Sequence, residues 1–210
     1  MPNLKDIKSR ISSVQNTKKI TKAMKMVAAA KVKKAENTVK AARPFSDELL
    51  HLFRKMLATV GEYSVAGLHV QRALDNYPEL LEKRDIKTEG LLVITSNKGL
   101  AGAYNSNIIK TAIARIRANK ERGVNTVIYP VGQKAVSAFK HAGKYFELKE
   151  GYISIANDPT ATGANIIAED IAEDFVSGHI DKIDIITTHF NNMMSYNVVS
   201  WDVLPVKVEQ

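Results

Sequence analysis

The chain has 210 residues and carries 30 Lys or Arg against 22 Asp or Glu, a formal net charge of +8 at neutral pH. It has no cysteine, which excludes disulfide bonds, thiol catalysis and cysteine metal sites. No apolar run approaches the roughly 20 residues of a membrane span, and the N-terminus has no signal-peptide apolar stretch. Composition therefore predicts a cytoplasmic protein of one or two domains.

Residues 3–56 predict one very long helix. Apolar residues recur in a heptad pattern that starts with Leu4 at position a, and a stripe limited to positions a and d is typical of a helix that packs against a partner helix. Pro44 predicts a kink or break between Ala42 and Phe45, because proline lacks the amide donor. The predicted seam contains Leu4, Ile7, Ile11, Val14, Ala28, Val32, Ala35 and Val39, and continues through Ala42, Leu49, Phe53, Met56 and Val60.

The positive charge is concentrated in this predicted helix. Residues 1–43 contain twelve Lys or Arg and two acidic residues, so they carry +10, whereas the rest of the chain carries −2. The basic residues surround the helix axis. Between Lys18 and Lys25 the seam positions become polar, and Ile20, Met24 and Val27 move the apolar stripe to another face. We therefore expect the helix to change its contact partner in this segment, and the charge favours an acidic partner.

The second part of the chain predicts alternating strands and helices. We expect the long helix to occupy residues 1–60 and end at Gly61, a connector with a short helical piece at 78–83 to occupy 61–88, and an α/β domain to occupy 89–210. Strands are predicted at 91–94, 127–131, near 146–155, at 183–186 and at 199–203, the last as an antiparallel edge strand. Strands separated by helices indicate a three-layer Rossmann-like α/β domain with a mainly parallel sheet.

Three helices are predicted between these strands. The first ends at Gly123, the second spans 134–141, and the third starts at Asp158-Pro159-Thr160. The core face of the first helix is predicted to contain Ile109, Ala112, Ile113 and Ile116. The core face of the third is predicted to contain Ile166, Ile167, Ile171 and Phe175, and its solvated face Glu169, Asp170, Glu173 and Asp174.

The loop after the first strand is the strongest candidate for a nucleotide-binding site, but its sequence does not favour one. Gly99 and Gly102 have the spacing of neither a dinucleotide loop nor a P-loop, so tight turning and close packing are favoured over nucleotide binding. The five histidines (His51, His69, His141, His179 and His189) share no metal-ligand spacing. We expect no catalytic residue, cofactor or metal. A nucleotide-binding α/β protein remains an alternative.

For the basic helix, two alternatives remain beside an acidic protein partner. It can be a solvated charged helix, or a coiled-coil module that binds double-stranded nucleic acid through phosphate attraction. No aromatic residue precedes Phe45, so a base-stacking platform is absent from this segment. Charge that surrounds the axis also suits enclosure by an acidic protein better than the reading of one groove.

Long segments of the chain resemble a known family. Residues 3–11 and 13–31, Ala42-Arg43-Pro44-Phe45, Gly90–Ile94 and Lys98–Asn105 resemble the γ subunit of F-type ATP synthases, and the similarity covers essentially the whole chain. Leu204-Pro205 resembles the end of that family's α/β domain. The resemblance implies a central shaft that turns inside a ring of α and β subunits and couples proton flow to ATP synthesis without catalysing it.

The resemblance also implies partners and contact residues. The expected partners are the α, β and ε subunits and the c-ring, with no nucleic acid and with the membrane reached only through the c-ring, at the cytoplasmic face of a bacterial membrane. The expected contact with the acidic lever of β contains Lys18, Lys19, Lys22, Met24 and Lys25. Ala101 stands where many relatives have Cys, and the family's long C-terminal helix is expected to be missing after Gln210.

Overall fold

The structure is a computed structural model that describes residues 3–63, 80, 82–142, 145–157 and 159–206. The side chains of residues 53, 54 and 56–63 lie outside this description, and so does most of the predicted connector with its helical piece. The chain divides into two compact units, Met1–Thr59 and Val60–Gln210. Each unit is built from different elements.

The first unit is formed by residues 4–59 of helix α1 (Leu4–Tyr63). The Asn3 carbonyl accepts hydrogen bonds from the amides of Asp6 and Ile7 at 2.9 and 3.2 Å, and the Asn3 amide donates to the Asp6 carboxylate at 3.3 Å. Asp6 also places a negative charge at the positive end of the helix dipole. These contacts start the helix where the sequence predicts it.

Helix α1 continues through Pro44 and Gly61, so the predicted break at residues 42–45 and the predicted end at Gly61 are wrong. A proline inside a helix costs about 3 kcal/mol. The turns on both sides are rich in good helix formers, and propagation of a helix is favourable once it has started. Residues 40–48 are also exposed, so water can reach the carbonyl that loses its partner. A bend at Pro44 stays a prediction.

The second unit contains, among the described residues, one five-stranded sheet of order β3-β2-β1-β4-β5. Strand β1 pairs in parallel with β2 and β4, β2 pairs in parallel with β3, and β4 pairs antiparallel with β5. The strands are β1 (Thr88–Ile94), β2 (Asn125–Val131), β3 (Glu147–Leu148), β4 (Lys182–Asn192) and β5 (Ser195–Leu204). The helices of this unit are α2 (Tyr104–Glu121), α3 (Gln133–Lys140) and α4 (Ala161–Val176).

The helices cover both faces of the sheet. Leu91 and Val93 of β1 pack in one apolar cluster with residues of α2 and α3, including Ile108 and Phe139. Leu92 points to the opposite face, where it packs in a second cluster with residues of α4. Successive residues of a strand face opposite sides, so a strand that is apolar throughout has to be covered twice. The three-layer α/β architecture and the mainly parallel sheet are therefore confirmed.

The positions of the buried helical residues differ from the sequence prediction by one residue in two places. In α2 the fully buried isoleucine is Ile108, whereas Ile109 is only half-buried. In α4 the core residues are Gly163, Ile167, Ile171 and Phe175, and Ile166 is 47% exposed. An apolar residue next to a core position can satisfy the same pattern, which explains both errors.

The predicted helix start at Thr160 and the antiparallel edge strand are confirmed. The Thr160 hydroxyl accepts a hydrogen bond from the Gly163 amide at 3.1 Å, which caps α4. Strand β5 is the antiparallel edge of the sheet. The predicted strand near residues 146–155 is reduced to β3, with Tyr152 forming only an isolated bridge to Val131.

Candidate interaction surface

The apolar seam of α1 is exposed. Leu4 and Val14 are 66% and 67% exposed, and Val39 is 55% exposed. Ile7 and Ile11 are also exposed, as are Ala28 and Ala35, while Val32 is half-buried. Among the seam residues from 4 to 39, all of them described, none is buried. A long row of exposed large apolar side chains indicates an interaction surface.

The five predicted contact residues lie on two faces of α1. A helix turns about 100° per residue, so Lys18, Lys22 and Lys25 fall within about 60° of one another. Lys19 lies at the edge of this lysine face. Met24 lies on the opposite side, together with Ile20 and Val27, and it is 50% exposed. The three lysines therefore share one face of α1, and Met24 lies about 100° around the axis from Lys25, the nearest of them.

The lysine face carries positive charge that α1 itself does not neutralise. Within α1, Glu36 forms ion pairs with Lys40 at 2.8 Å and with Lys33 at 3.7 Å. The hydrogen bond from Lys40 and the charges of both lysines hold the pKa of Glu36 below its usual value. Lys18, Lys22 and Lys25 have no such carboxylate among the described residues, so their charge is available to a partner.

Two threonines near the lysine face use their hydroxyls within the helix. Thr17 donates to the Ser13 carbonyl at 3.0 Å, and Thr21 donates to the Thr17 carbonyl at 3.0 Å. Around these threonines, α1 exposes lysine ammonium groups and the apolar side chains of Ile20, Met24 and Val27.

The turn after β1 has positive backbone φ angles at Leu100 and Gly102. Gly102 has a φ of +53° with open space around it, and Leu100 has a φ of +58° while being 96% exposed. Gly99 lies in the bend at residues 97–99 without a positive φ, so this loop uses left-handed backbone only at Leu100 and Gly102. The close backbone approach occurs at Gly132 instead, where an added Cβ would lie 2.4 Å from the Thr95 carbonyl oxygen.

Asn97 holds this turn against two other segments. Its Nδ2 donates to the Ile153 carbonyl at 2.7 Å, and its Oδ1 accepts from the Gln133 amide at 2.7 Å. The Ser96 amide donates to Asn105 Oδ1 at 3.0 Å. The asparagines therefore serve to fix the loop, a role that the sequence pattern did not reveal.

Of the four acidic side chains of α4 that were predicted to be solvated, Asp174 is half-buried. Tyr129 donates a hydrogen bond to Asp174, Lys149 lies 2.9 Å from the same carboxylate, and Tyr152 donates to Asp170 at 2.6 Å. Burial and the neighbouring carboxylates raise the pKa of both tyrosines. These groups line a groove of about 620 Å³ between α4 and the segment after β3. Glu169, Asp170 and Glu173 are exposed, as predicted.

His179 pairs with Glu147 at 3.1 Å, a contact that the sequence did not predict. In the described part of the chain, no three His, Asp or Glu side chains converge on a point where a metal ion could bind, and no helix combines the length and apolarity needed to cross a bilayer. His69 lies outside the described residues.

These features define a class of protein in which a long, lysine-rich helix presents interaction surface and a mixed α/β sheet forms a separate compact unit. The family model described as ATP synthase matches residues 3–210. The chain therefore belongs to the ATP synthase family, and its similarity within that family is to gamma chains.

Two cyanobacterial relatives and one solved structure illustrate the similarity. The ATP synthase gamma chain of Picosynechococcus sp. is 40% identical over 210 residues, which is 100% of this chain and 62% of the relative. That of Synechococcus sp. is 37% identical over 206 residues, 98% of this chain and 62% of the relative. The central stalk and c-ring structure of Tetrahymena thermophila mitochondrial ATP synthase matches with a TM-score of 0.57 at 26% identity, over 89% of this chain and 72% of that chain. The chain thus spans about three fifths of the curated relatives it matches.

Proposed function

We propose that this chain acts as the central-stalk gamma subunit of an ATP synthase and transmits torque between the proton-driven c-ring and the ring of α and β subunits. The observation that carries this proposal is the family match over residues 3–210, which includes the exposed, lysine-rich helix. In this function the chain does not itself catalyse the formation of ATP. It works through contacts, and an exposed seam and an unneutralised lysine face are the surfaces that such contacts need.

The proposed partners follow from the same family. The α and β subunits surround α1, and the α/β unit lies near the ε subunit and the c-ring. The chain is then a peripheral protein at the cytoplasmic face of a bacterial membrane, which it reaches through the c-ring. The a/d seam is proposed to pack against another helix as a coiled coil.

Within α1 we assign different partners to the two faces. Lys18, Lys22 and Lys25 face the acidic lever of β, with Lys19 at the edge of this contact. Met24 packs elsewhere, together with Ile20 and Val27, because these residues lie on the opposite side of the helix. This arrangement supports simultaneous contact with an acidic surface on one side and an apolar surface on the other.

Charge reversal on the lysine face tests this function. Lys18→Glu, Lys22→Glu and Lys25→Glu are introduced into the gamma chain of the assembled synthase in inverted membrane vesicles, and ATP-driven proton pumping is measured per ATP hydrolysed. Each reversal replaces attraction by repulsion and is expected to lower the number of protons pumped per ATP hydrolysed.

Lys34→Glu is the matched control, because it makes the same change of charge on the opposite side of α1 from Lys18. It is expected to leave pumping per ATP unchanged. Thermal unfolding of each variant separates a loss of coupling from a loss of fold. Equal pumping in all four variants and the unmodified protein would contradict the proposed contact.

A further inference from the structure

Five charged side chains meet on one face of the sheet in the second unit, and we refer to them as the charge cluster. Glu89 lies at the start of β1, Arg115 on α2, Lys182 and Asp184 on β4, and Asp202 on β5. Glu89 is 1% exposed and Asp184 4% exposed. β1 is the first strand of the sheet in chain order and β5 is the last. The charge cluster therefore connects the first strand with the last.

Lys182 is the centre of the charge cluster. Its Nζ lies 2.7 Å from Asp184 Oδ1, 2.9 Å from Asp202 Oδ1 and 3.3 Å from Glu89 Oε1. Arg115 Nη2 lies 2.6 Å from Glu89 Oε1 and 3.2 Å from Asp184 Oδ2. Arg122 reaches Glu89 only at 4.0 Å and is largely exposed. Three carboxyl groups therefore share two close cations.

The three carboxyl groups are not equally well bound. Glu89 accepts hydrogen bonds from Arg115 Nε and Nη2 and from Asn119 Nδ2, in addition to the nearby charge of Lys182. Asp184 Oδ1 has no well-oriented hydrogen-bond donor among the described residues, although Lys182 is close. Asp184 and Asp202 are direct partners across the β4–β5 pair. Two acidic side chains facing each other in an antiparallel pair are destabilising when both are charged.

The acidities of the two buried carboxyl groups differ in direction. Burial raises the pKa of Glu89, but the hydrogen bonds from Arg115 and Asn119 and the nearby cations outweigh burial and hold that pKa below its usual value. For Asp184, burial raises the pKa, and Asp202 and Glu89 add to this effect against the opposing influence of Lys182. The excess negative charge of the cluster therefore acts on Asp184, whose pKa is raised, and not on Glu89.

We propose that the charge cluster is a proton-holding latch, in which Asp184 and Asp202 share one proton that secures the edge strand β5 to β4. With the proton present, one carboxyl group donates to the other, and Lys182 and Arg115 balance the two remaining negative charges. When the proton leaves, two carboxylates face each other across the strand pair. The attachment of β5 is then weaker at high pH than at low pH.

Substitution of each carboxyl group by its amide tests the latch. Trp201 is the only tryptophan of the chain and lies next to Asp202 on β5, so its fluorescence reports the unfolding of this strand. Asp184→Asn removes the excess charge and is expected to raise the Tm by about 2–4 °C at pH of about 8. The gain is expected to shrink at pH of about 5, because lowering the pH favours the protonated pair in the unmodified protein.

Glu89→Gln and Asp202→Asn complete the test. Glu89→Gln removes a well-bound carboxylate and is expected to lower the Tm at both pH values. Asp202→Asn is expected to behave like Asp184→Asn, and it tests the latch even if the more buried variant does not fold. A fall in Tm at both pH values for the two Asp variants, or a gain that does not change with pH, would overturn the proposal.

Discussion

Tyr129 Oη donates a hydrogen bond to Asp174 Oδ2 and so connects the buried centre of β2 to the outer helix α4. Tyr129 is 1% exposed, and Lys149 supplies the second polar partner of the same carboxylate at 2.9 Å. A buried hydroxyl needs a partner, because leaving it without one costs about 1–3 kcal/mol. The contact therefore fixes the position of α4 on the sheet.

Tyr129→Phe removes this donor and keeps the ring. We expect the free energy of unfolding to fall by about 1 kcal/mol, since Asp174 retains Lys149. Urea denaturation followed by Trp201 fluorescence measures the change. Tyr145→Phe is the control, because Tyr145 is exposed and its ring contact with Lys120 does not involve the hydroxyl. Its effect is expected to stay within about 0.5 kcal/mol.

The cost of Tyr129→Phe depends on pH. Burial raises the pKa of Asp174, but the hydrogen bonds from Tyr129 and Lys149 outweigh burial and hold the pKa below its usual value of 3.8. A lowered carboxyl pKa stabilises the fold above the unfolded pKa, and this stabilisation is lost as the pH falls through the folded pKa. The cost is therefore expected in full at neutral pH and to shrink below a pH of about 3.8. A cost that stays constant down to this range would contradict the charge contribution.

Gly132→Ala tests the close approach of β2's end to Thr95. Gly132 has φ of 89° and ψ of 147°, a region that only glycine adopts readily, and an added Cβ would lie 2.4 Å from a carbonyl oxygen. We expect the free energy of unfolding to fall by about 3 kcal/mol or more. Gly102→Ala is the control, since it has a positive φ but open space, and should cost only about 1–2 kcal/mol. Equal costs would show that the backbone angle alone matters.

A pair of alanine substitutions tests which isoleucine of α4 faces the sheet. Ile167 is buried in the cluster around Leu92, so Ile167→Ala is expected to cost about 2–5 kcal/mol. Ile166 is half exposed, and Ile166→Ala should cost less than about 1 kcal/mol. Thermal unfolding of both variants is sufficient to separate them. A larger cost for Ile166 would reverse the assignment made from the structure.

The type and order of the elements could be predicted because they depend on local patterns. A continuous apolar run such as Leu91–Ile94 indicates a strand covered on both faces, and a threonine before an apolar periodic segment indicates a helix start, as at Thr160. The buried face of α4 could not be predicted to within one residue, because Ile166 and Ile167 are adjacent and both apolar. The face that is buried depends on the distant residues of β1 and β2 that pack against it.

The charge cluster could not be predicted from the sequence. Its contacts join residues that are 26, 69 and 93 positions apart, and no local pattern records such distances. Acidic and basic residues in strands also resemble the solvated positions of an edge strand. The sequence pattern carried no signal that Glu89 is almost completely buried.

The lysine face of α1 could be predicted in part. The separation of Lys18 and Lys22 from Met24 follows from helix periodicity alone, which the continuous helix in the structure supports. The prediction that the lysines and Met24 form one contact did not follow from helix periodicity. It came from the resemblance to the γ-subunit family. The acidic surface proposed to meet the lysines belongs to another chain, so the present chain specifies only one side of the contact.

Pro44 has a mechanical consequence for α1. Proline has no amide hydrogen, so the Lys40 carbonyl lacks the bond that would normally reach it from four residues ahead. Nearby, the Ser46 hydroxyl donates to the Ala42 carbonyl at 3.3 Å, a contact that competes with the backbone bond to the same oxygen. A helix under mechanical load deforms first where it has the fewest internal hydrogen bonds. Elastic deformation of α1 should therefore concentrate in the turn from Lys40 to Pro44, which makes this turn a spring within an otherwise stiff element.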